Sequence, residues 1–163
     1  MFPKHLTLLS EELLKTCTKN KLRVTVAESC TGGLVNALIS SIPVASSIFG
    51  RGFICYSNQS KGEMLGVQAH VFMAHGAVSE ICARAMAEGA IKRSDANLSV
   101  SITGIAGPGG ATETKPVGLV HIATARLGRT TAHEEHFFKG DRTEVRMQAV
   151  EAAIRMLIKA ATN

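Results

Sequence analysis

The chain has 163 residues, of which 45% are hydrophobic and 19% are charged, and its formal net charge is +5. This balance excludes a disordered chain and favours a single domain over residues 1–163, with a core that folds without metals or disulfides. Because its 18 Lys and Arg residues are scattered and it has one Tyr and no Trp, we expect a small anionic substrate and no nucleic-acid partner.

The first part of the chain alternates predicted helices and strands. Apolar residues at helical spacing predict a helix from Leu6 to Cys17, and β-branched residues predict a first strand at Arg23–Ala27. Segment 28–42 then turns through Thr-Gly-Gly into an apolar helix that a proline ends. A second strand is predicted at Gly52–Tyr56, and the polar segment 57–66 after it forms a loop or a short helix.

A third predicted strand leads into a loop dense in glycine. Segment 79–94 is rich in alanine and begins with a serine, a pattern that predicts a helix. The strand at Leu98–Thr103 follows and runs directly into GIAGPGG at 104–110. Glycine and proline at this density disfavour regular structure and expose backbone N–H groups.

The last part of the chain predicts a hairpin and a long helix. Val117–Thr124 and Thr130–Phe138 form two predicted antiparallel strands, and Asp141 with Glu144 has the spacing of a capping box. Strands that alternate with helices, followed by a hairpin, predict an α/β fold. We expect a three-layer α/β/α sandwich with a mixed, mostly parallel sheet and an antiparallel hairpin in its C-terminal half.

The cysteines and histidines do not have the spacing of metal ligands. The four cysteines contain no CxxC pair, so we expect neither a zinc ribbon nor a disulfide framework. His133 and His136 are three residues apart on a predicted strand and face opposite sides, which disfavours a metal site. No segment resembles a signal peptide or has membrane length. We expect a cytoplasmic protein that binds no metal, cofactor or membrane.

Three loops follow predicted strands and carry the candidate chemistry. The loop after the first strand carries Ser29. The loop after the second strand runs from Tyr56 to Lys61, and the loop after the third runs from Thr103 to Gly110. Ligands of open α/β sheets collect beyond the carboxyl ends of the strands, so we expect these loops to converge. Their convergence depends on the strand order, which the sequence leaves open.

Ser29 is the candidate nucleophile, because it precedes a predicted helix whose N–H groups and dipole stabilise an oxyanion or a phosphate. Gly32 and Gly33 would let a substrate approach the backbone closely. The alternative interpretation is that Ser29 or Thr31 merely caps the helix. Cys30 is an alternative nucleophile, because the same position can lower the pKa of a thiol.

Lys61 is the candidate base, since no Gly-x-Ser-x-Gly elbow and no obvious His and Asp pair accompany Ser29. It could serve if burial and a nearby cation such as Arg142 lower its pKa; a solvated loop lysine is the alternative. Tyr56 either relays a proton and orients Lys61, or is a half-buried strand aromatic. Arg142 begins a helix, which suggests an anionic partner; pairing with Asp141 or Glu144 is the alternative.

The glycine-rich loop at 104–110 matches no standard phosphate motif. It lacks the Gly-Lys-Ser/Thr of the Walker pattern and the Gly-x-Gly-x-x-Gly of a dinucleotide fold, so an ATPase or a Rossmann dehydrogenase is disfavoured. A contact with a nucleotide phosphate or ribose stays open.

Six motifs in order resemble one known family. They are AESCTGG at Ala27–Gly33, YSNQSK at Tyr56–Lys61, GAVSE at Gly76–Glu80, ITGIAGPGG at Ile102–Gly110, KPVGLV at Lys115–Val120 and GDR at Gly140–Arg142. Together they resemble the CinA C-terminal domain family, whose members include nicotinamide-nucleotide amidohydrolases. The resemblance covers nearly the whole chain, and six ordered motifs are far more specific than one.

The resemblance implies deamidation of nicotinamide mononucleotide to nicotinic acid mononucleotide and ammonia, a step of pyridine-nucleotide salvage that needs no cofactor. It implies that Ser29 is the nucleophile and Lys61 its base, with Tyr56 also catalytic. It also implies that Thr103 and Arg142 complete the site, and we expect the substrate contacts to be Thr31, Gly32, Gly33, Thr103, Gly109, Gly110 and Arg142. Family members are typically homodimers, so a second copy of the chain is an expected partner. The alternative is a non-catalytic nucleotide-binding or competence-associated interaction module with the same pocket.

Overall fold

Five strands form one mixed sheet in the computed structural model, which describes residues 2–163. The strands are β1 (Val24–Glu28), β2 (Phe49–Ile54), β3 (Leu98–Gly104), β4 (Leu119–Arg126) and β5 (Ala132–Phe137). Their order across the sheet is β2-β1-β3-β4-β5. β2 and β3 pair with β1 in parallel, and β4 is antiparallel to both β3 and β5. The predicted mixed sheet with its C-terminal-half hairpin is confirmed.

Helices cover both faces of the sheet. They are α1 (Lys4–Lys19), α2 (Leu34–Ser40), α3 (Asn58–Leu65), α4 (Ala69–His75), α5 (Glu80–Lys92) and α6 (Arg142–Thr162), with a short 3-10 helix at Ala45–Ser47. One face packs against α1, α2 and α6, and the other packs against α5 with α3 and α4 beside it. The predicted three-layer α/β/α sandwich is confirmed. No helix within residues 2–163 is long and apolar enough to cross a membrane.

Some element boundaries differ from the sequence-based predictions. The helix after β1 begins only at Leu34, because residues 29–33 form a turn. Helix α4 had no predicted counterpart, since its seven residues are too few to show a clear apolar period. β4 and β5 begin at Leu119 and Ala132, each two residues later than predicted.

Local hydrogen bonds explain where two important helices begin. The Ser79 side chain accepts a hydrogen bond from the Cys82 N–H and starts α5. The Asp141 side chain accepts from the N–H groups of Thr143 and Glu144, and the Glu144 carboxylate accepts from the Asp141 N–H. These caps satisfy N–H groups that have no partner within the first helical turn. The capping box predicted for α6 is confirmed, and it fixes the helix that carries Arg142.

The strand order places a topological switch at β1. The chain moves from β1 to β2 through α2 on one face, and from β2 to β3 through α3, α4 and α5 on the other. β2 and β3 therefore flank β1 on opposite sides, and their carboxyl ends lie at the same edge. Ligands of open α/β sheets bind in the crevice at such a point. The three candidate loops converge at this edge.

Candidate active site

A cavity of about 250 Å³ lies at the carboxyl edge of β1, β2 and β3. Its lining residues are Ser29, Cys30, Tyr56, Asn58, Lys61, Ala77, Val78, Thr103, Gly104, Ile105, Ala106, Gly107, Gly109, Gly110 and Arg142. Most of the residues singled out from the sequence thus surround one space. Thr31, Gly32 and Gly33 lie outside this lining.

Ser29 and Lys61 face each other in the cavity. Ser29 follows β1, and its N–H donates to the Ile102 carbonyl of β3 at 2.9 Å, which holds it at the sheet edge. Lys61 lies in α3, whose start is set by a reciprocal capping box between Ser57 and Ser60. Lys61 Nζ is 3.0 Å from Ser29 Oγ, and Lys61 and Ser29 are only 1% and 8% exposed. The alternative of a solvated loop lysine is therefore excluded.

Burial lowers the pKa of Lys61 from its ordinary value of 10.5, because desolvation penalises the ammonium form. The thiols of Cys82, Cys55 and Cys30 act in the opposite direction and are weaker. The expectation that Arg142 contributes is wrong, since it is not among the groups that shift this pKa. Removal of the amine from water is what favours its uncharged form.

The hydrogen bonds of Lys61 direct its lone pair. Besides Ser29 Oγ, its Nζ lies 2.9 Å from the Cys55 carbonyl oxygen and 3.3 Å from the Tyr56 carbonyl oxygen. Carbonyl oxygens only accept hydrogen bonds, so an uncharged amine donates its two N–H groups to them. Its lone pair is then left for the third neighbour, the Ser29 hydroxyl. This arrangement suits transfer of the Ser29 proton to the amine.

Tyr56 and Arg142 lie at the mouth of the cavity. The Tyr56 side chain is 62% exposed and lies beyond the end of β2, so it is not a half-buried strand aromatic. Its hydroxyl accepts from Arg142 Nη2 at 2.9 Å, and its carbonyl rather than its hydroxyl contacts Lys61. Arg142 also donates to the Gly107 carbonyl at 2.8 Å.

Arg142 has no carboxylate partner within residues 2–163, so it does not pair with Asp141 or Glu144. No Asp or Glu lines the cavity in this part of the chain either. A guanidinium at the mouth of a cavity without acidic groups is suited to bind an anionic group of a ligand.

The glycine-rich loop forms the opposite wall. Thr103, at the end of β3, is buried and donates its hydroxyl to the Ala77 carbonyl at 2.8 Å. Beyond it the peptide bond between Gly107 and Pro108 is cis. The backbone N–H groups of Ala106, Gly107, Gly109 and Gly110 donate no backbone hydrogen bond within residues 2–163. Such groups can hold polar or anionic atoms of a ligand.

The turn after Ser29 differs from the prediction. The N–H groups at the start of α2 bind the buried carboxylate of Glu28 and are not free to face the cavity. The Gly33 N–H donates to Glu28 at 3.0 Å, and the Gly32 N–H donates to the Ser29 carbonyl at 3.0 Å. The expectation that N–H groups at this helix start stabilise an oxyanion is therefore wrong for Gly32 and Gly33. Their φ angles of 61° and 98° favour glycine and explain their presence in the turn.

The alternatives considered for this turn are also wrong. The Glu28 carboxylate accepts from the start of α2, so neither Ser29 nor Thr31 acts as the helix cap. Cys30 lines the cavity, but burial raises the pKa of its thiol to about 12. A thiol with that pKa is protonated at neutral pH and is a poor nucleophile. The expectation that the helix start lowers the pKa of Cys30 fails because α2 begins later and binds Glu28.

Sequence reasoning missed several residues at this edge. Asn58 begins α3 and lines the cavity, and Ala77 and Val78 line it from the segment between α4 and α5. These residues lie within the YSNQSK and GAVSE motifs, so motif membership was the signal that pointed to them. Glu28 lies within the AESCTGG motif, and a carboxylate at the end of a fully buried strand was a second signal.

A second cluster of ionisable groups lies on the hairpin. His121 Nδ1 and His133 Nε2 are 2.9 Å apart, across the two strands of the hairpin. The register of β4 and β5 pairs His121 with Glu135 and places His133 one same-face position away. No group of three or more side chains within residues 2–163 has the arrangement of metal ligands.

Known proteins share both the sequence pattern and the fold. The family model of the CinA C-terminal domain matches residues 6–161 of this chain. The chain belongs to the CinA C-terminal domain family. Among curated relatives, a CinA-like protein from Chlorobaculum tepidum is 44% identical over 154 residues, which cover 92% of this chain and 36% of that protein. A CinA-like protein from Anaeromyxobacter is 49% identical over 83% of this chain and 33% of its own length. The chain spans about a third of the length of these relatives.

Solved structures of CinA superfamily proteins have the same fold. The competence/damage inducible protein CihA from Agrobacterium tumefaciens has a TM-score of 0.96 and 42% identity, covering 100% of this chain and 99% of that chain. A CinA superfamily protein from Escherichia coli has a TM-score of 0.92 and 32% identity, covering 98% of this chain and 94% of that chain. The cavity of this CinA domain thus lies in a fold that its relatives share.

Proposed function

We propose that this CinA domain is an amidohydrolase that converts nicotinamide mononucleotide to nicotinic acid mononucleotide and ammonia. The observation that carries the proposal is the buried contact of 3.0 Å between Ser29 Oγ and Lys61 Nζ at the wall of a cavity. A serine beside an uncharged amine is a nucleophile with its base. The family resemblance supplies the substrate and its place in pyridine-nucleotide salvage.

The first step is attack on the carboxamide. Lys61 accepts the hydroxyl proton while Ser29 Oγ forms a bond to the carboxamide carbon, whose carbonyl oxygen becomes an oxyanion. We assign stabilisation of the oxyanion to the Cys30 N–H, which follows the nucleophile directly. This N–H belongs to a residue that lines the cavity and has no backbone acceptor within residues 2–163.

The second step expels ammonia and regenerates the serine. The Lys61 ammonium gives its proton to the amide nitrogen as the C–N bond breaks, which leaves the acyl group as an ester of Ser29. Water then attacks the ester carbon and gives a proton to Lys61. The proton on Lys61 returns to Ser29 Oγ as the ester bond breaks, and the carboxylic acid leaves and gives its own proton to the solvent, which makes it a carboxylate. One water is consumed and one ammonia is released for each amide.

Substrate binding follows from the charges at the cavity. Arg142 has no carboxylate partner, and the loop at 106–110 presents N–H groups without backbone acceptors within residues 2–163. We assign to them the phosphate and ribose of the nucleotide, because guanidinium and backbone N–H groups both bind phosphate oxygens. The net charge of +5 favours approach of an anion.

Ammonia release from nicotinamide mononucleotide tests the proposal. Ser29→Ala should lower kcat at least about a hundredfold, since the nucleophile is lost. The exposed Ser40, which lies at the end of α2 away from the cavity lining, provides the matched control Ser40→Ala, which should behave as the wild type.

Two outcomes would contradict the proposal. Ammonia release that survives in Ser29→Ala would show that another group is the nucleophile. A folded wild-type chain that binds nicotinamide mononucleotide and releases no ammonia would show a nucleotide-binding module without turnover.

A further inference from the structure

The nucleophile turn, residues 29–33, is tied to the fold by a buried carboxylate. Glu28 is 0% exposed, and its Oε2 accepts from the N–H groups of Gly33 at 3.0 Å and Val35 at 3.2 Å. Its Oε1 accepts from the Asn36 N–H at 2.8 Å and from Asn36 Nδ2 at 2.7 Å. Four hydrogen bonds on one side chain therefore join the end of β1 to the start of α2 across the turn.

A guanidinium holds the same turn from the other side. Arg146 lies in α6, and its Nη2 donates to the Thr31 carbonyl at 2.8 Å. A Cβ added at Gly32 would lie 3.2 Å from that same nitrogen, so the guanidinium packs directly on the turn. The turn that carries Ser29 is thus held by a carboxylate from the end of β1 and by a guanidinium from α6.

We propose that Glu28 and Arg146 are positioning residues that keep the Ser29 hydroxyl within reach of Lys61. This inference rests on the proposed amidohydrolase function. Neither side chain lines the cavity, so both act through the turn and leave substrate binding unchanged. A nucleophile displaced by about 1 Å commonly loses about a hundredfold in rate, which makes the placement of Ser29 consequential.

Glu28→Gln and Arg146→Met test the proposal. Each oxygen of Glu28 accepts two hydrogen bonds, and an amide nitrogen in place of either oxygen would face two donors. We expect kcat and the rate of Ser29 labelling by a fluorophosphonate probe to fall at least about tenfold, with KM and the apparent pKa of the pH profile unchanged. Arg146→Lys should recover part of the rate, because an ammonium also donates to a carbonyl.

The chain offers matched controls for both variants. Asn36→Ala removes one of the four hydrogen bonds of Glu28 and leaves its three bonds to backbone N–H groups. Arg155→Met removes an exposed arginine of the same helix that pairs only with Glu151 among residues 2–163. Both controls should label at close to the wild-type rate.

The separation of Ser29 Oγ and Lys61 Nζ in crystal structures of the variants gives a readout that needs no substrate. The proposal predicts that it lengthens beyond hydrogen-bond reach. It is overturned if Arg146→Met keeps both the wild-type separation and the wild-type labelling rate, and Arg146→Met decides the matter if Glu28→Gln fails to fold. A wild type that releases no ammonia refutes the amidohydrolase function, while the crystallographic separation still tests the roles of Glu28 and Arg146.

Discussion

Two groups of ionisable side chains on the α5 side of the sheet are withdrawn from water, and only one of them lies beside a nucleophile. Lys61 contacts Ser29, whereas His121 and His133 contact each other on the hairpin. Burial is the largest cause of the lowered pKa of all three residues. A lowered pKa therefore marks removal from water, and chemistry requires in addition a nucleophile and space for a substrate.

The surroundings of the two groups also differ in charge. The hydrogen bonds of Lys61 go to two carbonyl oxygens and a hydroxyl. Each histidine instead has a carboxylate near its outer nitrogen, Glu135 at 3.6 Å from His121 and Glu80 at 3.7 Å from His133. The two inner nitrogens, 2.9 Å apart, share one hydrogen bond, so both rings cannot be protonated without breaking it. The histidine pair is thus a structural link between the hairpin and α5.

The largest expected effect on the rate comes from replacing Lys61, the proposed base. Lys61→Met should lower kcat for ammonia release at least about a hundredfold, because no other group accepts the Ser29 proton. The control Lys92→Met removes an exposed lysine of α5 and should leave kcat unchanged. The double variant His121→Gln/His133→Gln should also turn over close to the wild-type rate. A loss in the histidine variant as large as that in Lys61→Met would show that the hairpin cluster takes part in the chemistry.

The pH dependence of the rate sharpens the comparison. Only the uncharged amine of Lys61 accepts a proton, and its pKa lies below the ordinary value of 10.5. Below that pKa, kcat/KM should rise about tenfold per pH unit and then level off. A full profile of kcat/KM against pH measures the pKa of the free enzyme. A rate that falls with rising pH over this range would contradict Lys61 as the base.

The smallest expected effect is on stability. Burial is the first cause that lowers the pKa values of His121 and His133 from 6.5; His133 adds to the shift of His121, and Arg84 adds to that of His133, so the folded protein disfavours their protonation. The unfolded chain therefore binds more protons below about pH 6.5, and this contribution to stability is lost as the pH falls. We expect a fall in Tm of about 2–4 °C from pH 7 to mildly acidic pH, the size that about 1 kcal/mol gives at this length.

Thermal unfolding of His121→Gln/His133→Gln at the same pH values is the control for this prediction. Between pH 7 and mildly acidic pH, the Tm of this double variant should change less than the Tm of the wild type. If Tm changes equally with pH in both proteins, other titratable groups cause the pH dependence of stability.

The sequence indicated the type of most elements through their local patterns, although α4 was missed. The β-branched segment near Val24 and the capping box of Asp141 are signals carried by adjacent residues, and both gave the correct element. The ordered motifs also indicated Ser29, Lys61 and Arg142 as residues of one site. The start of α2 was misjudged, because a carboxylate at Glu28 binds its N–H groups and replaces the expected cap.

Local patterns in the chain thus determined the strands, the helices and the identity of the candidate residues, since propensity and periodicity act over a few neighbours. The tertiary structure alone decided that the pKa of Lys61 is lowered and that its amine lies beside Ser29, because desolvation and two carbonyl contacts arise only when β2 and α3 pack beside β1. It also decided that His121 meets His133 and that Arg146 reaches the nucleophile turn. These contacts join residues far apart in the chain, and no sequence pattern specifies a distance across a sheet.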